Sequence, residues 1–275
     1  LSCSNEKVIK KIVTTYQGER NFIKTDHYDR FGNIVNTIYL NPDGSERSKE
    51  EFEYKYDSNK NIIEKNELDY NHHYPSGRRM VYKYDSNNNL IEEYIHEDDR
   101  KNERFIGLHQ EKRNYKYDSN DNLVEEVYNP IDVMDSKGIR NTWKTLYDYN
   151  EKNNMIKKSF FINDNLREYS IFEYNNNLLI EESSFNENHS LSSKVFYEYD
   201  IDKNMIQKDF LDETNDVMSF QIYKYDINGN MIEESEYFNK DYLNKTSRNI
   251  SKDFPKVEED QLFEKTTYEY EYYED

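Results

Sequence analysis

Cysteine occurs once in the chain, at Cys3, so no internal disulfide can form and one chain cannot build a thiolate metal cluster. Alanine is absent, which removes the strongest helix former. Glycine and proline number 7 and 4 in 275 residues, and Trp143 is the single tryptophan. No stretch approaches the roughly 20 apolar residues that a membrane-spanning helix requires. A basic stripe is missing too: net charge is −19, and Lys and Arg are interspersed with Glu, which disfavours a phosphate backbone. Nucleic acid is therefore not an expected partner, and contact with a bilayer is expected only through a tether.

What the chain does contain is tyrosine. Leu, Ile, Val and Phe together supply 60 of 275 residues, a proportion close to that of disordered chains. The 27 Tyr and 14 Phe offset this, since each can bury roughly 150–250 Å². The expected core is mostly aromatic, with most tyrosines inside it. Abundant Asn supplies turns.

The tyrosines recur in a phrase written eight times: an aromatic, any residue, Tyr and Asp, three polar residues, Asn or Gly, and two aliphatics. Copies run from Tyr54, Tyr82, Tyr115, Tyr147, Tyr197 and Tyr223, with a weaker first copy at His27-Tyr28-Asp29 and one a residue short at Phe172-Glu173-Tyr174-Asn175. In Phe52-Glu53-Tyr54-Lys55-Tyr56 the aromatics fall on every second position, the period of a half-buried strand. Ser58-Asn59-Lys60-Asn61 then suits a hairpin loop, and Ile62-Ile63 opens the return strand. Each phrase is one hairpin tip. Turns at the opposite ends are expected at Asn41-Pro42-Asp43-Gly44, Pro75-Ser76-Gly77 and Ser136-Lys137-Gly138.

Successive Asp-position residues are 28, 28, 33, 32, 25, 25 and 26 apart. About 25 residues fill two strands and two turns, so the excess, around Asp98 to His109 and Asn129 to Gly138, is expected as loops on one edge. The predicted fold is all-β, a repetitive antiparallel hairpin array in one long, twisted, coiled sheet, because open sheets beyond about ten strands curl. Its aromatic face lines the concave side or packs on a later turn of the sheet. Residues 1–20 form an N-terminal anchor segment and first strand, with Ile12 to Tyr16 as strand and a turn at Gln17-Gly18-Glu19; residues 21–238 hold the repeats. Residues 239–275 hold an insertion or short helix and a terminal strand, Thr266 to Tyr272, expected as a charged free edge.

The phrase resembles the YD repeat of the Rhs and teneurin-type proteins, most clearly at Tyr223-Lys224-Tyr225-Asp226-Ile227-Asn228-Gly229-Asn230, and the likeness covers residues 27 to 232. It is specific as a repeat and unspecific as to function. The resemblance implies a spiralling β-sheet that walls a cavity around a toxin or decorates a cell surface, with carbohydrate as one ligand. In most copies here Gly is replaced by Asn, Lys or Asp, and with so few repeats a closed shell is not expected. The nearer likeness is to short, Asn-rich YD-repeat lipoproteins of bacterial envelopes. Leu1-Ser2-Cys3-Ser4-Asn5 in turn resembles the end of a lipobox, which implies lipid attachment at Cys3 and an outer-membrane-tethered protein, surface or periplasmic.

Sites of chemistry are scarce. The tips at Asp57, Asp85, Asp118 and Asp226 repeat the Asp-x-Asn-x-Asn opening of an EF-hand, but an EF-hand needs Gly sixth and Glu twelfth, where Ile62, Leu90, Leu123 and Met231, then Leu68, His96, Asn129 and Tyr237 stand. The turn reading is preferred to calcium. His27, His72, His73, His96, His109 and His189 lack the spacing of a zinc site, and His72-His73 is expected in a solvated loop. The pairs Glu92-Glu93, Glu125-Glu126, Glu181-Glu182 and Glu233-Glu234 point to opposite faces of a strand, so they are not acid–base dyads and are expected to meet Lys on neighbouring strands. No catalytic residue, metal site or cofactor is expected. The leading expectation is a non-catalytic envelope scaffold that binds a glycan or a protein, with Tyr and Trp143 as stacking groups where exposed. Two alternatives stand beside it: a structural spacer or partial shell assembling through its sheet edges, and a calcium-stabilised adhesin-like module.

Overall fold

The computed structural model describes residues 9–17, 22–70, 76–99, 110–130, 141–242 and 261–272. They form eighteen strands. The first six are β1 (Ile9–Gln17), β2 (Phe22–Tyr28), β3 (Ile34–Leu40), β4 (Glu46–Tyr56), β5 (Ile62–Asp69) and β6 (Ser76–Tyr84). Then come β7 (Leu90–Asp99), β8 (Gln110–Tyr117), β9 (Leu123–Pro130), β10 (Trp143–Tyr149), β11 (Met155–Ile162) and β12 (Asn165–Asn175). The last six are β13 (Leu178–Asn186), β14 (Leu191–Tyr199), β15 (Met205–Asp212), β16 (Val217–Tyr225), β17 (Met231–Phe238) and β18 (Gln261–Tyr272). Each pairs antiparallel with the next, and β18 pairs with β1 from Ile9↔Tyr272 to Gln17↔Lys265. The sheet is thus a closed up-and-down barrel.

Closure corrects the expectation of an open coil, and of a doubtful shell. Thr266 to Tyr272 is no terminal edge, because β18 is hydrogen-bonded on both sides, to β17 and to β1. The physical reason is the edge itself: two strands with unsatisfied backbone groups and matching alternation gain a full ladder by pairing. Strands about 4.8 Å apart and tilted about 40° make a circumference of about 110 Å, and a ring of this size leaves a water-filled interior. Eight-residue strands make its wall about 20 Å tall.

Every phrase builds a tip as expected, and the details show why its residues are fixed. At the first full copy the Asp57 amide donates to the Asn61 carbonyl at 3.0 Å and the Lys60 amide to the Asp57 carbonyl at 3.1 Å, with Lys60 at φ 69°. This is a three-residue loop whose last residue is left-handed. Asp57 Oδ1 accepts the amides of Asn59 and Asn61 at 2.8 and 2.9 Å, and Oδ2 takes Asn61 Nδ2 at 3.0 Å. The short copy has a two-residue loop, Asn176 and Asn177, both left-handed at φ 50° and 65°. The two aliphatics have separate tasks: Ile62 pairs with Tyr56, while Ile63 is the extra residue of a β-bulge between Tyr56↔Ile62 and Lys55↔Glu64. The same shift follows Tyr28, Tyr84, Tyr117, Tyr149, Tyr174, Tyr199 and Tyr225.

At the other rim, Asn41 to Ser45 turns as expected, with Gly44 at φ 82°. Pro75-Ser76-Gly77 is not the turn expected there: Ser76 and Gly77 already pair within β6. Residues 100–109, 131–140 and 243–260 all connect strands that end at this same rim; the turn at 136–138 lies outside the described residues, as do His72, His73, His109 and the turn after Gln17. β1 covers the stretch expected as strand. A helical turn begins at residue 240, where Asn239 Oδ1 accepts the amides of Asp241 and Tyr242.

Candidate functional site on the inner wall

Register divides the wall into two faces. Tyr54, Lys65, Met80, Tyr82, Glu93, Arg113, Tyr115, Glu126, Thr145 and Tyr147 lie on one, linked by direct cross-strand pairing or by strand alternation. Lys55, Glu64, Lys83, Glu92, Lys116 and Glu125 lie on the other. The tyrosine face is the concave one. Burial pushes the hydroxyls of Tyr54, Tyr82, Tyr147 and Tyr197 up to about 12 and raises Glu50, whereas Lys55, Lys83, Lys116 and Lys224 on the other face stand in solvent.

Two belts run round this inner wall. In the upper one, the second tyrosine of a phrase reaches back to the first aliphatic of the phrase before it, except at the first full copy, where Tyr54 bonds the Ile34 carbonyl and Tyr56 accepts from Asn33. Tyr84 donates to the Ile62 carbonyl at 2.8 Å, Tyr117 to Leu90 at 2.9 Å, Tyr149 to Leu123 at 2.8 Å and Tyr174 to Met155 at 2.9 Å. Tyr199 to Leu179, Tyr225 to Met205 and Tyr270 to Met231 continue it. In the lower belt the first tyrosine meets a glutamate: Tyr115 to Glu93 at 3.0 Å, Tyr147 to Glu126 at 3.2 Å, Tyr197 to Glu182 and Tyr268 to Glu234 at 3.3 Å. The glutamate pairs therefore divide their labour. The outward member bonds lysine as expected, Glu92 to Lys83 and Lys112 and Glu233 to Lys224 and Lys265, and the inward member bonds tyrosine.

The tyrosines are thus a half-buried lining and not the dry core that composition suggested. The buried apolar side chains among the described residues are Met80, Phe172, Leu211 and Tyr223, joined by small polar ones such as Thr37, Thr14, Ser48 and Ser235. A wall one sheet thick around water has no second layer to pack against.

Below the lower belt, near the rim opposite the tips, the wall carries an aromatic platform. Trp143 pairs directly with Tyr128, ring centres 5.1 Å apart, and meets Phe160 edge-on at 6.4 Å. Trp143 is 43% exposed. Arg113 lies over the far side of Tyr128, 5.5 Å from its ring centre, and stands 3.9 Å from both Glu93 and Glu126. Burial opposes the guanidinium charge, but those glutamates and Tyr115 more than compensate, so its pKa is raised, and its Nε has no hydrogen-bond partner. Trp143 was named in the sequence as a stacking candidate; Tyr128 and Arg113 were not, since only cross-strand register brings them beside it.

The other residues weighed in the sequence are placed as follows among the described residues. No group of three His, Cys, Asp or Glu is disposed to hold a metal. The Asp carboxylates of the EF-hand-like tips are bonded to their own loops, which lowers the pKa of Asp57, Asp85, Asp118 and Asp226. His189 approaches only the Tyr169 hydroxyl, at 3.3 Å. Cys3 lies outside the described residues. Among the described residues no helix is long and apolar enough to cross a membrane.

No family model matches the chain, and no curated protein matches it. Among solved structures it is similar to a porin-like protein from Bacteroides uniformis (TM-score 0.49, 10% identity, 96% of this chain and 98% of that one). A porin-like protein from Bacteroides vulgatus follows at 0.37 and 13%, covering 78% and 97%. A Tc holotoxin pore from Photorhabdus luminescens gives 0.30 and 13% over 78% of this chain, which spans 14% of that one. These values all fall below 0.5, and the barrel assignment rests on strand pairing.

Proposed function

We propose that this chain is a non-catalytic barrel of the bacterial cell envelope, tethered through lipid at Cys3, whose inner wall binds a carbohydrate chain on Trp143 and Tyr128. The observation that carries the reading is the exposed Trp143 ring on the wall of a wide, hydrated interior, backed by Tyr128, with charged Arg113 and Glu126 alongside. A sugar ring offers an apolar face to stack and a hydroxyl edge to bond, and this platform supplies both kinds of partner. The YD-repeat likeness of the phrases agrees with a surface-exposed repeat. Outer-face ion pairs such as Lys55–Glu64, Lys83–Glu92 and Lys224–Glu233 argue against a membrane-spanning barrel, which needs an apolar outer band about 25 Å tall.

Trp143 is the only tryptophan, so its fluorescence reports this site alone. Titrating the full chain with oligosaccharides cut from bacterial envelope glycans is expected to shift or quench the emission. Tyr128→Ala should weaken that binding about tenfold. Glycan binding that leaves the emission unmoved, or that survives Trp143→Ala at full affinity, would count against the site.

The calcium-stabilised alternative has little to draw on while the tip carboxylates are engaged by their own backbone. Edge-to-edge assembly is in no better position, because a closed ring has no free edge to offer.

A further inference from the structure

The tips that crown the barrel are of two kinds, and the two kinds are segregated. Five consecutive tips carry only polar loop residues: Ser58-Asn59-Lys60, Ser86-Asn87-Asn88, Ser119-Asn120-Asp121, Glu151-Lys152-Asn153 and Asn176-Asn177. These are tied together side by side: Asn61 and Asn59 donate to Asn88, Asn89 to Asp121 at 2.8 Å, Asn122 to Asn153 at 3.1 Å, and Asn154 to Asn177 at 3.3 Å. The remaining three tips each raise a large apolar side chain clear of the wall: Ile201 is 97% exposed, Ile227 100% and Phe31 80%. The closed ring makes these neighbours. The β14–β15 tip holds Ile201, the β16–β17 tip holds Ile227, the ends of β18 and β1 follow, and the β2–β3 tip holds Phe31.

We propose that this apolar arc of the rim docks onto a lipid bilayer, with Phe31, Ile201 and Ile227 inserted at the interface. Three features favour a bilayer over a protein. Tips two strands apart lie about 12 Å from each other and those four strands apart about 25 Å, so the anchors are spread along the rim like pegs, not gathered into one hot spot. Each stands alone on a polar loop, as interfacial anchors do, and the loops' own charges, Arg30 and Lys203 against Asp29, Asp200, Asp202 and Asp226, do not form a basic patch that would call for an anionic partner. The arc is also where β1 begins, six residues after Cys3. A lipid anchor at Cys3 would bring this arc, and not the opposite rim, against the bilayer. The inference shares the tether with the proposed function, but Phe31, Ile201 and Ile227 would act with or without it, and it makes no use of the inner wall.

The test is co-sedimentation of the full, unlipidated chain with phosphatidylcholine vesicles at about 1 mM lipid, where binding as strong as a single acyl chain's would retain most of the protein. The wild-type chain is expected in the pellet, and the triple variant Phe31→Ser, Ile201→Ser, Ile227→Ser is expected to lose binding at least tenfold. Ser58→Ile on the polar arc is the control and should change binding less than twofold relative to wild type. The tips are solvent-exposed loops, so folding is checked by unchanged Trp143 emission. Wild-type protein that stays in the supernatant, or a triple variant that binds as well as wild type, overturns the proposal. So does a wild-type dimer in light scattering that the triple variant converts to monomer, because a second copy would then be the occupant. Loss of glycan binding with vesicle binding intact would fault the inner-wall reading alone.

Discussion

The Tyr84 hydroxyl donates to the main-chain carbonyl of Ile62, 22 residues earlier, at 2.8 Å, across the junction between one hairpin and the next. Ile62 is the first residue of the return strand and its neighbour Ile63 is bulged out. The β5–β6 ladder begins only at Glu64↔Val81, so the Ile62 carbonyl lies beyond its end, and the tyrosine takes up that acceptor. One repeat is thereby bound to the next by a side chain that the phrase always supplies.

Tyr84→Phe should therefore destabilise the barrel by about 1 kcal/mol, the usual net worth of such a bond when its acceptor is left unpaired. The equivalent change at Tyr117, Tyr149 or Tyr225 should cost about the same. Denaturant unfolding of single and double mutants is the measurement, and costs at Tyr84 and Tyr225, far apart in the ring, should add to within about 0.5 kcal/mol. A control on the outer face, Lys116→Ala, should cost under about 1 kcal/mol because Lys116 and Glu125 form an exposed pair.

Much of this was legible in the sequence, and the boundary is instructive. Alternation in Phe52, Tyr54 and Tyr56 announced the strand, and Asp57 to Asn61 announced its turn, since both are local consequences of residue type. The second aliphatic of each phrase was visible, but its task as a bulge residue was not, because a bulge is defined by the partner strand. Closure was out of reach for the same reason: it depends on Thr14 finding Tyr268 across nearly the whole chain, and nothing in either segment encodes its distance from the other. Trp143 was visible as a lone aromatic, and its platform with Tyr128 waited on the β9–β10 register.

The left-handed loop position offers a test with opposite signs. Lys60 and Asn88 occupy equivalent places at φ 69° and 67°. Lys60→Gly should stabilise the protein by about 1 kcal/mol, because glycine adopts that backbone without strain. Asn88→Gly should gain little or lose, since Asn88 Oδ1 accepts from Asn59 and Asn61 at 3.0 and 2.9 Å and Asn itself tolerates the conformation. Parallel thermal melts compare them. This also accounts for the replacement of Gly by Asn or Asp in the phrases at Asn88, Asp121, Asn153 and Asn177: a side chain there can accept a bond from the tip before it.

A buried pair close to the seam supplies a sharper loss. Thr37 and Asp26 face each other on β3 and β2, both almost wholly buried, with Thr37 Oγ1 donating to Asp26 Oδ1 at 2.6 Å. Thr37→Val keeps the shape and deletes the donor, leaving a carboxylate oxygen short of a partner. A loss of about 2 kcal/mol is expected, the range for bonds to charged groups. Thr37→Ser keeps the hydroxyl and should lose less than half of that, as read from denaturant midpoints.

Stability should fall at both ends of the pH scale, for different residues. Lys55 and Arg79 hold Glu64 down to about 2, Lys83 and Lys112 do so for Glu92, and Lys224 and Lys265 for Glu233. These carboxylates have folded-state values below their unfolded ones, so their contribution is complete above the ordinary carboxylate range and is lost as pH falls from about 4.5 towards 2. Each carboxylate has a cationic partner that stands in solvent, Lys55, Lys83 or Lys224, so each is worth about 1 kcal/mol or less and added salt should shrink the acid limb. The tyrosines act in the reverse sense. Burial first, then neighbouring acidic groups (glutamates for Tyr82, Tyr147 and Tyr197, Tyr56 and Asp29 for Tyr54), lift Tyr54, Tyr82, Tyr147 and Tyr197 to about 12, above the ordinary value of 10.0. The folded barrel keeps protons that the unfolded chain gives up, so stability present below pH 10 should drain away between 10 and 12. Tyrosinate absorbance and circular dichroism followed together should change as one cooperative step in that window, with salt affecting it less than the acid limb. Smooth titration of the tyrosines at 10 with the β-signal intact would mean that the inner belt is open to hydroxide and is not desolvated as the wall geometry requires.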